Sequence, residues 1–174
     1  LVRRAVSIEA KAVGALVKQV DQSYANAIAL MRQCQGKVVV SGIGKSGLVG
    51  RKMAASLAST GTPAFFVHAA EAVHGDSGMV ERDDVVILLS NSGETSEILN
   101  FLPILEQIGC KKVAITNNPK STLARSCDVA IVYSYEREAD HLNLAPTTSA
   151  TLTMVIGDAL ATTLSILKEF DRKD

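Results

Sequence analysis

Short apolar runs rich in valine and isoleucine alternate along the chain with longer segments of helical periodicity. Within the runs, apolar and polar residues do not alternate, which is typical of strands that are covered on both faces of a sheet. The pattern predicts five strands, at Lys37–Ser41, Ala64–Val67, Asp84–Ser90, Lys112–Thr116 and Asp128–Val132. It predicts helices between them at Ser46–Ser59, Thr95–Ile108 and Ser121–Ala124, and a short irregular segment at Ala69–Gly78.

Repeats of strand, helix and strand predict an α/β fold with a doubly wound parallel sheet, that is, a three-layer αβα sandwich of the Rossmann-like type. We expect the strand order 2-1-3-4-5, in which the ends of the first and third strands flank the switch point where ligands bind. With 174 residues, the chain is expected to form a single domain over residues 1–174.

A helical region is predicted at each end of the chain. The first extends from about Val2 to Cys34, with apolar residues at Val6, Val13, Val17, Val20, Tyr24, Ile28 and Met31. The second, at about Thr147–Phe170, is apolar around much of its circumference, at Leu152, Met154, Val155, Ile156, Leu160, Leu164, Ile166 and Leu167. Because one sheet face cannot cover so broad an apolar surface, we expect the chain to form a homo-oligomer.

The charge balance argues against two classes of partner. Lysine plus arginine and aspartate plus glutamate number 18 each, with no basic run, so the electrostatic footprint of a nucleic-acid or membrane-surface binder is missing. The most apolar stretch, Ala150–Leu167, contains Asp158 and several threonines, which predicts a buried helix and not a membrane span. We therefore expect neither nucleic acid nor membrane among the partners.

The cysteines and histidines lack metal-ligand spacing. The cysteines are Cys34, Cys110 and Cys127, and the histidines are His68, His74 and His141. An odd number of cysteines suits a reducing cytoplasm, and free cysteine most often fills space in a core. The histidine spacings fit no helical or turn-based ligand pair. We expect a cytoplasmic protein without a structural metal, in which His68 hydrogen-bonds at the end of a strand.

Two glycine- and hydroxyl-rich turns, Ser41–Gly47 and Ser90–Thr95, follow the first and third strands and open helices. A helix N-terminus offers unpaired N–H groups and a positive dipole end, glycine lets an anion approach the backbone, and hydroxyls donate further hydrogen bonds. The turns therefore predict a site for a phosphorylated small molecule. The candidate binding residues are Gly44, Ser46, Ser90, Asn91, Ser92 and Thr95.

The first turn also fits other patterns. Gly42, Gly44 and Gly47 match the glycine fingerprint of dinucleotide-binding domains, but that fingerprint requires an acidic residue at the end of the second strand, where His68 stands. A P-loop requires glycine where this chain has Val39. A tight turn without a ligand remains the simplest alternative.

The turn sequences belong to a larger set of motifs. The segments are Ser41–Gly47, Gly61–His68, Glu71–Asp76, Ser90–Ile98 and Leu144–Ser149, and together they resemble the sugar isomerase (SIS) domain of D-arabinose-5-phosphate isomerases. The resemblance implies an SIS-type fold, a homotetramer, no cofactor, and interconversion of D-ribulose 5-phosphate and D-arabinose 5-phosphate. That reaction leads into the octulosonate sugar of lipopolysaccharide.

The resemblance also implies four catalytic residues. The family's lysine falls on Lys45, its two glutamates on Glu97 and Glu138, and a histidine on His74. A further family histidine follows the final helix, beyond Asp174, so we expect turnover to require it. Longer members continue into paired CBS domains, which this sequence does not include.

The residue types fit the implied chemistry. In isomerisation through a cis-enediol, one carboxylate can act as base and then as acid, a role that Glu97 or Glu138 could fill. The developing enediolate needs a cation or donor, which Lys45 or His74 could supply. Three of the four residues also have a structural alternative: Lys45 as a solvated lysine, Glu97 as a helix-start charge and Glu138 as a solvated loop glutamate. For Glu94, which precedes the same helix as Glu97, we expect only the helix-start role.

Two other functions stay open from the residues alone. SIS domains also occur in regulators that sense a phosphosugar without turning it over. The glycine pattern, taken by itself, also suggests an NAD-dependent oxidoreductase.

Overall fold

Five parallel strands form the middle layer of the protein, seen in a computed structural model that describes residues 1–171. They are β1 (Val38–Gly42), β2 (Ala64–His68), β3 (Val85–Leu89), β4 (Lys111–Thr116) and β5 (Val129–Val132). The strand order is β2-β1-β3-β4-β5. The predicted fold class and strand order are confirmed, and each predicted strand is correct to within one residue at either end.

Helices cover both faces of the sheet, which explains the unbroken apolar runs. Because successive side chains of a strand point to opposite faces, Val38 and Val40 of β1 enter one core while Val39 enters the other. The first core is covered by α1 (Val2–Leu16), α2 (Gln22–Gln33), α3 (Gly44–Ser59) and α7 (Thr148–Leu167). The second is covered by α4 (Ala69–Ala72), α5 (Ser96–Ile108) and α6 (Thr122–Ser126).

The N-terminal helical region is two helices and not one apolar stripe. A short 3₁₀ helix, Val17–Gln19, ends α1, and the side chain of Asp21 accepts from the Ser23 backbone N–H at 2.9 Å to cap α2. Because α2 begins anew at this cap, its buried face is not continuous with the buried face of α1. Val17 and Val20, which the predicted stripe included, are consequently exposed.

The segment predicted to be irregular, Ala69–Gly78, contains the single-turn helix α4 and the start of a 3₁₀ helix at Asp76–Met79. Such short elements leave little periodic signal in a sequence. The remaining helices begin within two residues of the predicted positions.

The final helix α7 buries one stripe and exposes another. Its buried residues include Leu152, Ile156, Leu160 and Leu164, and it packs against α1, α2 and α3. Met154 and Ile166 are exposed. By length and composition α7 is also apolar enough to cross a membrane, and 39% of its span is buried inside the protein. The predicted burial of this helix therefore holds for one side only.

Helices α7 and α3 pack closely at Gly157. A Cβ atom added there would lie 2.6 Å from Met53 Cε and 3.3 Å from Met53 Cβ. We expect Gly157→Ala to lower the free energy of unfolding, because overpacking typically costs about 1–3 kcal/mol. Urea unfolding followed by circular dichroism measures this change.

Gly14→Ala is the matched control, since Gly14 also lies in a helix but has nothing within 4 Å of an added Cβ. There the same substitution is expected to raise stability by about 0.5–1 kcal/mol. Equal effects at the two positions would contradict the proposed role of Gly157 in helix packing.

Candidate active site

The first turn is shaped by glycine. Gly44, the first residue of α3, has φ = +54°, a conformation that disfavours side chains. A Cβ on Gly42 would lie 3.1 Å from Gly47 N, and a Cβ on Gly47 would lie 3.1 Å from Gly42 O. Strand and helix therefore meet backbone to backbone. The N-cap residue, Ile43, provides no side-chain hydrogen bond, so the first N–H groups of α3 are left for a ligand.

The second turn is held together by hydroxyls. Ser90 Oγ lies 2.7 Å from Thr95 Oγ1 and accepts from the Gly93 N–H at 3.0 Å. Ser92 Oγ accepts from the Glu94 N–H at 3.1 Å. Each hydroxyl carries one proton, so the Ser90–Thr95 pair and Ser92 retain protons for a ligand. Thr95 is the N-cap residue of α5, but its hydroxyl bonds to Ser90 and makes no cap hydrogen bond to the helix.

The two turns emerge side by side. β1 and β3 are neighbours, with Ser41 paired to Leu88, and the helices that follow them start at Gly44 and Ser96. Two helix N-termini without side-chain caps thus lie at the same edge of the sheet, at its switch point. This arrangement favours an anion.

A cationic cavity of about 470 Å³ adjoins the first turn. Lys45, Arg51 and His68 line it together with residues of the turn. Arg51 was missed by the sequence analysis, although its position seven residues after Gly44 places both on one face of α3. Its guanidinium carbon lies 4.6 Å from the centroid of the Phe66 ring. His68 Nδ1 is buried without a partner, so this atom does not make the predicted hydrogen bond.

Three of the four predicted catalytic residues have unengaged side chains. Within residues 1–171, the side chains of Lys45, His74 and Glu97 make no hydrogen bond and no ion pair. Lys45 and Glu97 lie in the first turns of α3 and α5, and His74 lies just after α4. The structure does not join these three side chains to one another. They remain free to meet a ligand.

Glu138, in contrast, is almost completely engaged. Its side chain caps α7 from the preceding loop: Oε2 accepts from the backbone N–H groups of Thr147 (2.9 Å) and Ser149 (3.1 Å) and from Thr147 Oγ1 (3.1 Å). The residue is 5% exposed. The alternative of an ordinary solvated loop glutamate is therefore wrong.

The hydrogen bonds keep Glu138 ionised. Burial is the largest influence and by itself would raise the pKa of Glu138, but hydrogen bonds from Ser149, Thr147 and Tyr135 outweigh it and lower the pKa below the ordinary value. The negative charge also lies at the positive end of the α7 dipole. At neutral pH Glu138 is a stable anion.

Two tyrosines connect Glu138 to the second turn. Tyr135 Oη donates to Glu138 Oε1 at 3.0 Å and accepts from Asn91 Nδ2 at 3.0 Å, while Tyr133 Oη donates to Asn91 Oδ1 at 2.8 Å. The rings are stacked with centroids 6.2 Å apart. Neither tyrosine was among the residues predicted from the sequence. Their alternate spacing directly after an apolar strand, which places them on one face, was the available signal.

Glu94 was expected to act at the start of α5, but its side chain binds the start of another helix. Its Oε1 accepts from the Thr122 N–H at 2.7 Å, at the beginning of α6 and not of α5. Gly93 allows this approach, since it has φ = +69° and an added Cβ would lie 2.1 Å from Ser121 Oγ.

The doubly wound sheet and its paired, uncapped helix N-termini are typical of α/β domains that bind anions at this edge. The family model for the SIS domain matches residues 30–163. The chain belongs to the SIS-domain family.

Several relatives match nearly the whole length of this sequence, with about half of the residues identical. The chain is 48% identical to arabinose 5-phosphate isomerase KdsD of Pseudomonas aeruginosa over 99% of its own length and 53% of the relative's. It is 49% identical to arabinose 5-phosphate isomerase KpsF of Escherichia coli, with the same two coverages. The chain thus spans about half the length of the curated relatives it matches. The solved structure of E. coli CFT073 c3406 in complex with A5P is 51% identical, with a TM-score of 0.97, over 99% of this chain and 92% of that one.

We expect Glu138→Gln to destabilise the fold in a pH-dependent manner. Because the pKa of Glu138 is lowered by folding, its charge contributes stability above the ordinary glutamate pKa, and this contribution is lost as pH falls through the folded value. Near pH 7 the variant is expected to lose about 1–2 kcal/mol. The difference from the original chain should shrink below about pH 4.3.

Thermal melts between pH 3.5 and 7.5 measure this dependence. Glu136→Gln is the matched control on the same loop, because Glu136 is exposed and pairs with Lys11 at the surface, at 2.5 Å, where such pairs contribute little. A gap between Glu138→Gln and the original chain that stays constant with pH would refute the argument.

Proposed function

We propose that this chain is the catalytic domain of an isomerase that interconverts D-ribulose 5-phosphate and D-arabinose 5-phosphate through a cis-enediol. The observation that carries the proposal is the pair of uncapped helix N-termini with unengaged Lys45 and Glu97 in their first turns. The names of the KdsD and KpsF relatives and the A5P bound to c3406 support the same substrate.

The phosphate group is proposed to bind between the two turns. Its ligands are backbone N–H groups of α3 and α5, with the hydroxyls of Ser46, Ser92 and Thr95. Ser90 orients Thr95 at 2.7 Å, and Gly44 opens the backbone of the first turn. The side chain of Asn91 is held by two tyrosines, so we assign to Asn91 a backbone N–H contact and the shaping of the turn.

Glu97 is proposed to move the proton between the two adjacent carbons. As a base it removes a proton from the carbon beside the carbonyl, and as an acid it returns that proton to the neighbouring carbon. Glu138 is a weaker candidate for this step, because hydrogen bonds lower its pKa. We propose that Glu138 remains an anion throughout and keeps the site in shape.

Lys45 and His74 are proposed to serve the oxygens of the sugar. The ammonium of Lys45 stabilises the developing enediolate oxygen, and His74 exchanges a proton with the sugar when a cyclic form opens. The overall change moves one hydrogen between the two carbons and one proton between their oxygens, with no net oxidation or reduction of the sugar, so proton transfer alone completes the reaction.

The main alternative is a module that senses a phosphosugar without turning it over. Such a module needs the phosphate turns but gains nothing from an unengaged Lys45 and Glu97 beside them. An oxidoreductase would need a carboxylate at the end of β2 for the ribose, and His68 ends that strand. We therefore prefer the isomerase.

The direct test is to incubate the protein with D-ribulose 5-phosphate and to follow the formation of D-arabinose 5-phosphate. Because the resemblance implies a histidine beyond Asp174, the assay is run on this chain and on a version extended past Asp174. Turnover supports the isomerase. Phosphosugar binding without turnover in either version selects the sensor, and absence of both overturns the proposal.

We expect Glu97→Gln to lower kcat by about 10²–10⁴-fold, the usual contribution of positioned acid–base catalysis, while phosphosugar affinity stays near normal. Lys45→Ala should weaken binding and turnover together, because the ammonium can meet both the phosphate and the enediolate. Steady-state kinetics and calorimetric binding separate the two patterns.

Glu106→Gln is the control for these variants, since Glu106 lies in the same helix as Glu97 but accepts from Lys112 Nζ at 2.7 Å, away from the turns. Normal kinetics are expected for this variant. Near-normal turnover of Glu97→Gln would remove Glu97 from the proposed mechanism.

We propose a homotetramer for the assembled protein. Exposed apolar side chains on α1 and α7 support it, including Val2, Val6, Met154 and Ile166, because exposed apolar patches commonly mark interfaces. Light scattering at micromolar concentration is expected to give four subunit masses. A monomer would contradict the assembly, and a dimer would correct its size.

We also propose a cytoplasmic location and a role in supplying lipopolysaccharide synthesis. The support for the location is the state of the cysteines, which are all free in the structure. Burial raises the pKa of Cys127 to about 12 and raises that of Cys110, so these thiols are unreactive packing groups. The role in lipopolysaccharide synthesis rests on the resemblance alone.

A further inference from the structure

We propose that Tyr135 is a positioning residue that couples the phosphate-binding turn, Ser90–Thr95, to Glu138. The inference rests on the proposed function and deepens it: it makes the geometry of the turn depend on a carboxylate that need not touch the phosphate.

Asn91 is the point at which the turn is held. Its Nδ2 donates to Tyr135 Oη and its Oδ1 accepts from Tyr133 Oη. Its carbonyl oxygen accepts from the Asn117 N–H at 3.0 Å and from Thr116 Oγ1 at 3.1 Å, both at the end of β4. Four hydrogen bonds thus fix Asn91 between β4 and the two tyrosines. Losing one of these hydrogen bonds would loosen Asn91, the residue that directly precedes Ser92 in the turn.

The number of protons available fixes which atom donates in each hydrogen bond of the tyrosine network. An ionised carboxylate can only accept, so Tyr135 must donate its single proton to Glu138 and is left to accept from Asn91. The charge on Glu138 therefore orients Tyr135, and Tyr135 in turn orients Asn91. A neutral carboxyl or an amide in the place of Glu138 could donate to Tyr135 and compete with Asn91 for the same oxygen.

The groups that face Glu138 keep these donor and acceptor roles fixed at neutral pH. From α7 they are the uncharged Thr147 and Ser149, and from the end of β5 they are Tyr133 and Tyr135, the titratable groups that act on the carboxylate. Burial raises the pKa of both tyrosines, so both keep their protons at neutral pH. The adjacent Arg137 directs its guanidinium to backbone carbonyl oxygens.

The two tyrosines offer a matched pair of variants. Tyr135→Phe removes the contacts to both Asn91 and Glu138, whereas Tyr133→Phe removes a contact to Asn91 and leaves all hydrogen bonds of Glu138 in place. Tyr24→Phe is the neutral control, because the buried Tyr24 hydroxyl has no hydrogen-bond partner.

The experiment measures Glu138 and the turn separately. ¹³C NMR of labelled glutamate side chains follows the titration of Glu138, which is assigned by its absence in Glu138→Gln, and calorimetry measures the affinity for D-arabinose 5-phosphate. For Tyr135→Phe we expect the Glu138 titration to move to higher pH and the affinity to fall by about three- to tenfold, the effect of losing a hydrogen bond. For Tyr133→Phe we expect the affinity to fall while the Glu138 titration stays unchanged.

The coupling itself is tested by a double-mutant cycle. Tyr135→Phe is expected to weaken phosphosugar binding less in the Glu138→Gln background than in the original chain, because the carboxylate acts through Tyr135. Additive effects would overturn the proposal. If Tyr135→Phe does not fold, Glu138→Gln alone tests it from the other end: it must weaken phosphosugar binding, and unchanged affinity would refute the coupling.

A purely structural tyrosine gives a different result. Tyr135→Phe would then lower the melting temperature and leave both the Glu138 titration and the affinity at the values of Tyr24→Phe, and the proposal would be wrong. The NMR titration does not depend on turnover. If the original chain binds the phosphosugar but fails the isomerase assay, the proposed function falls while the coupling is still decided by these measurements.

Discussion

The contact on which the site most depends is the carboxylate of Glu138 at the N-terminus of α7. Burying a charge is costly unless it is fully hydrogen-bonded, and here four donors surround it: three on Oε2 from the start of α7 and Tyr135 on Oε1. This contact pins the loop after β5 to the helix that covers the first core. It thereby sets the position of Tyr135, and through Tyr135 that of Asn91.

The two halves of the phosphate-binding edge are built on different principles. The first turn depends on the absence of side chains, because Gly42 and Gly47 meet through their backbones. The second depends on hydrogen bonds, from Ser90 within the turn and from β4 and the tyrosines outside it. The first half is therefore fixed locally, whereas the second requires the tertiary structure of the whole sheet edge.

This difference explains what the sequence could predict. Strands, their order and both turns were predictable, because burial on both faces and glycine at strand ends leave local signals. The cap provided by Glu138 was not, since its partners at the start of α7 lie nine and eleven residues along the chain, and Tyr135 bonds a residue 44 positions distant. Glu94 is a similar case: its helix-start character was predictable, but it caps a helix 28 residues further on. Local sequence patterns indicate that a residue can cap a helix, but the tertiary structure determines which helix it caps.

The first turn also carries positive charge that the described part of the protein does not itself pair. Lys45 adds a cation to the first turn of α3, where the helix dipole is already positive and no side-chain cap offsets it. Arg51 and His68 line the adjoining cavity. Such an arrangement is unfavourable for stability unless an anion occupies it. The negative charge of Glu138 is stabilised by hydrogen bonds from the start of α7 and from Tyr135, and Glu138 forms no ion pair with Lys45. The fold thus satisfies the carboxylate of Glu138 and leaves the cation of Lys45 without a protein partner within residues 1–171, a place that a phosphate would fill.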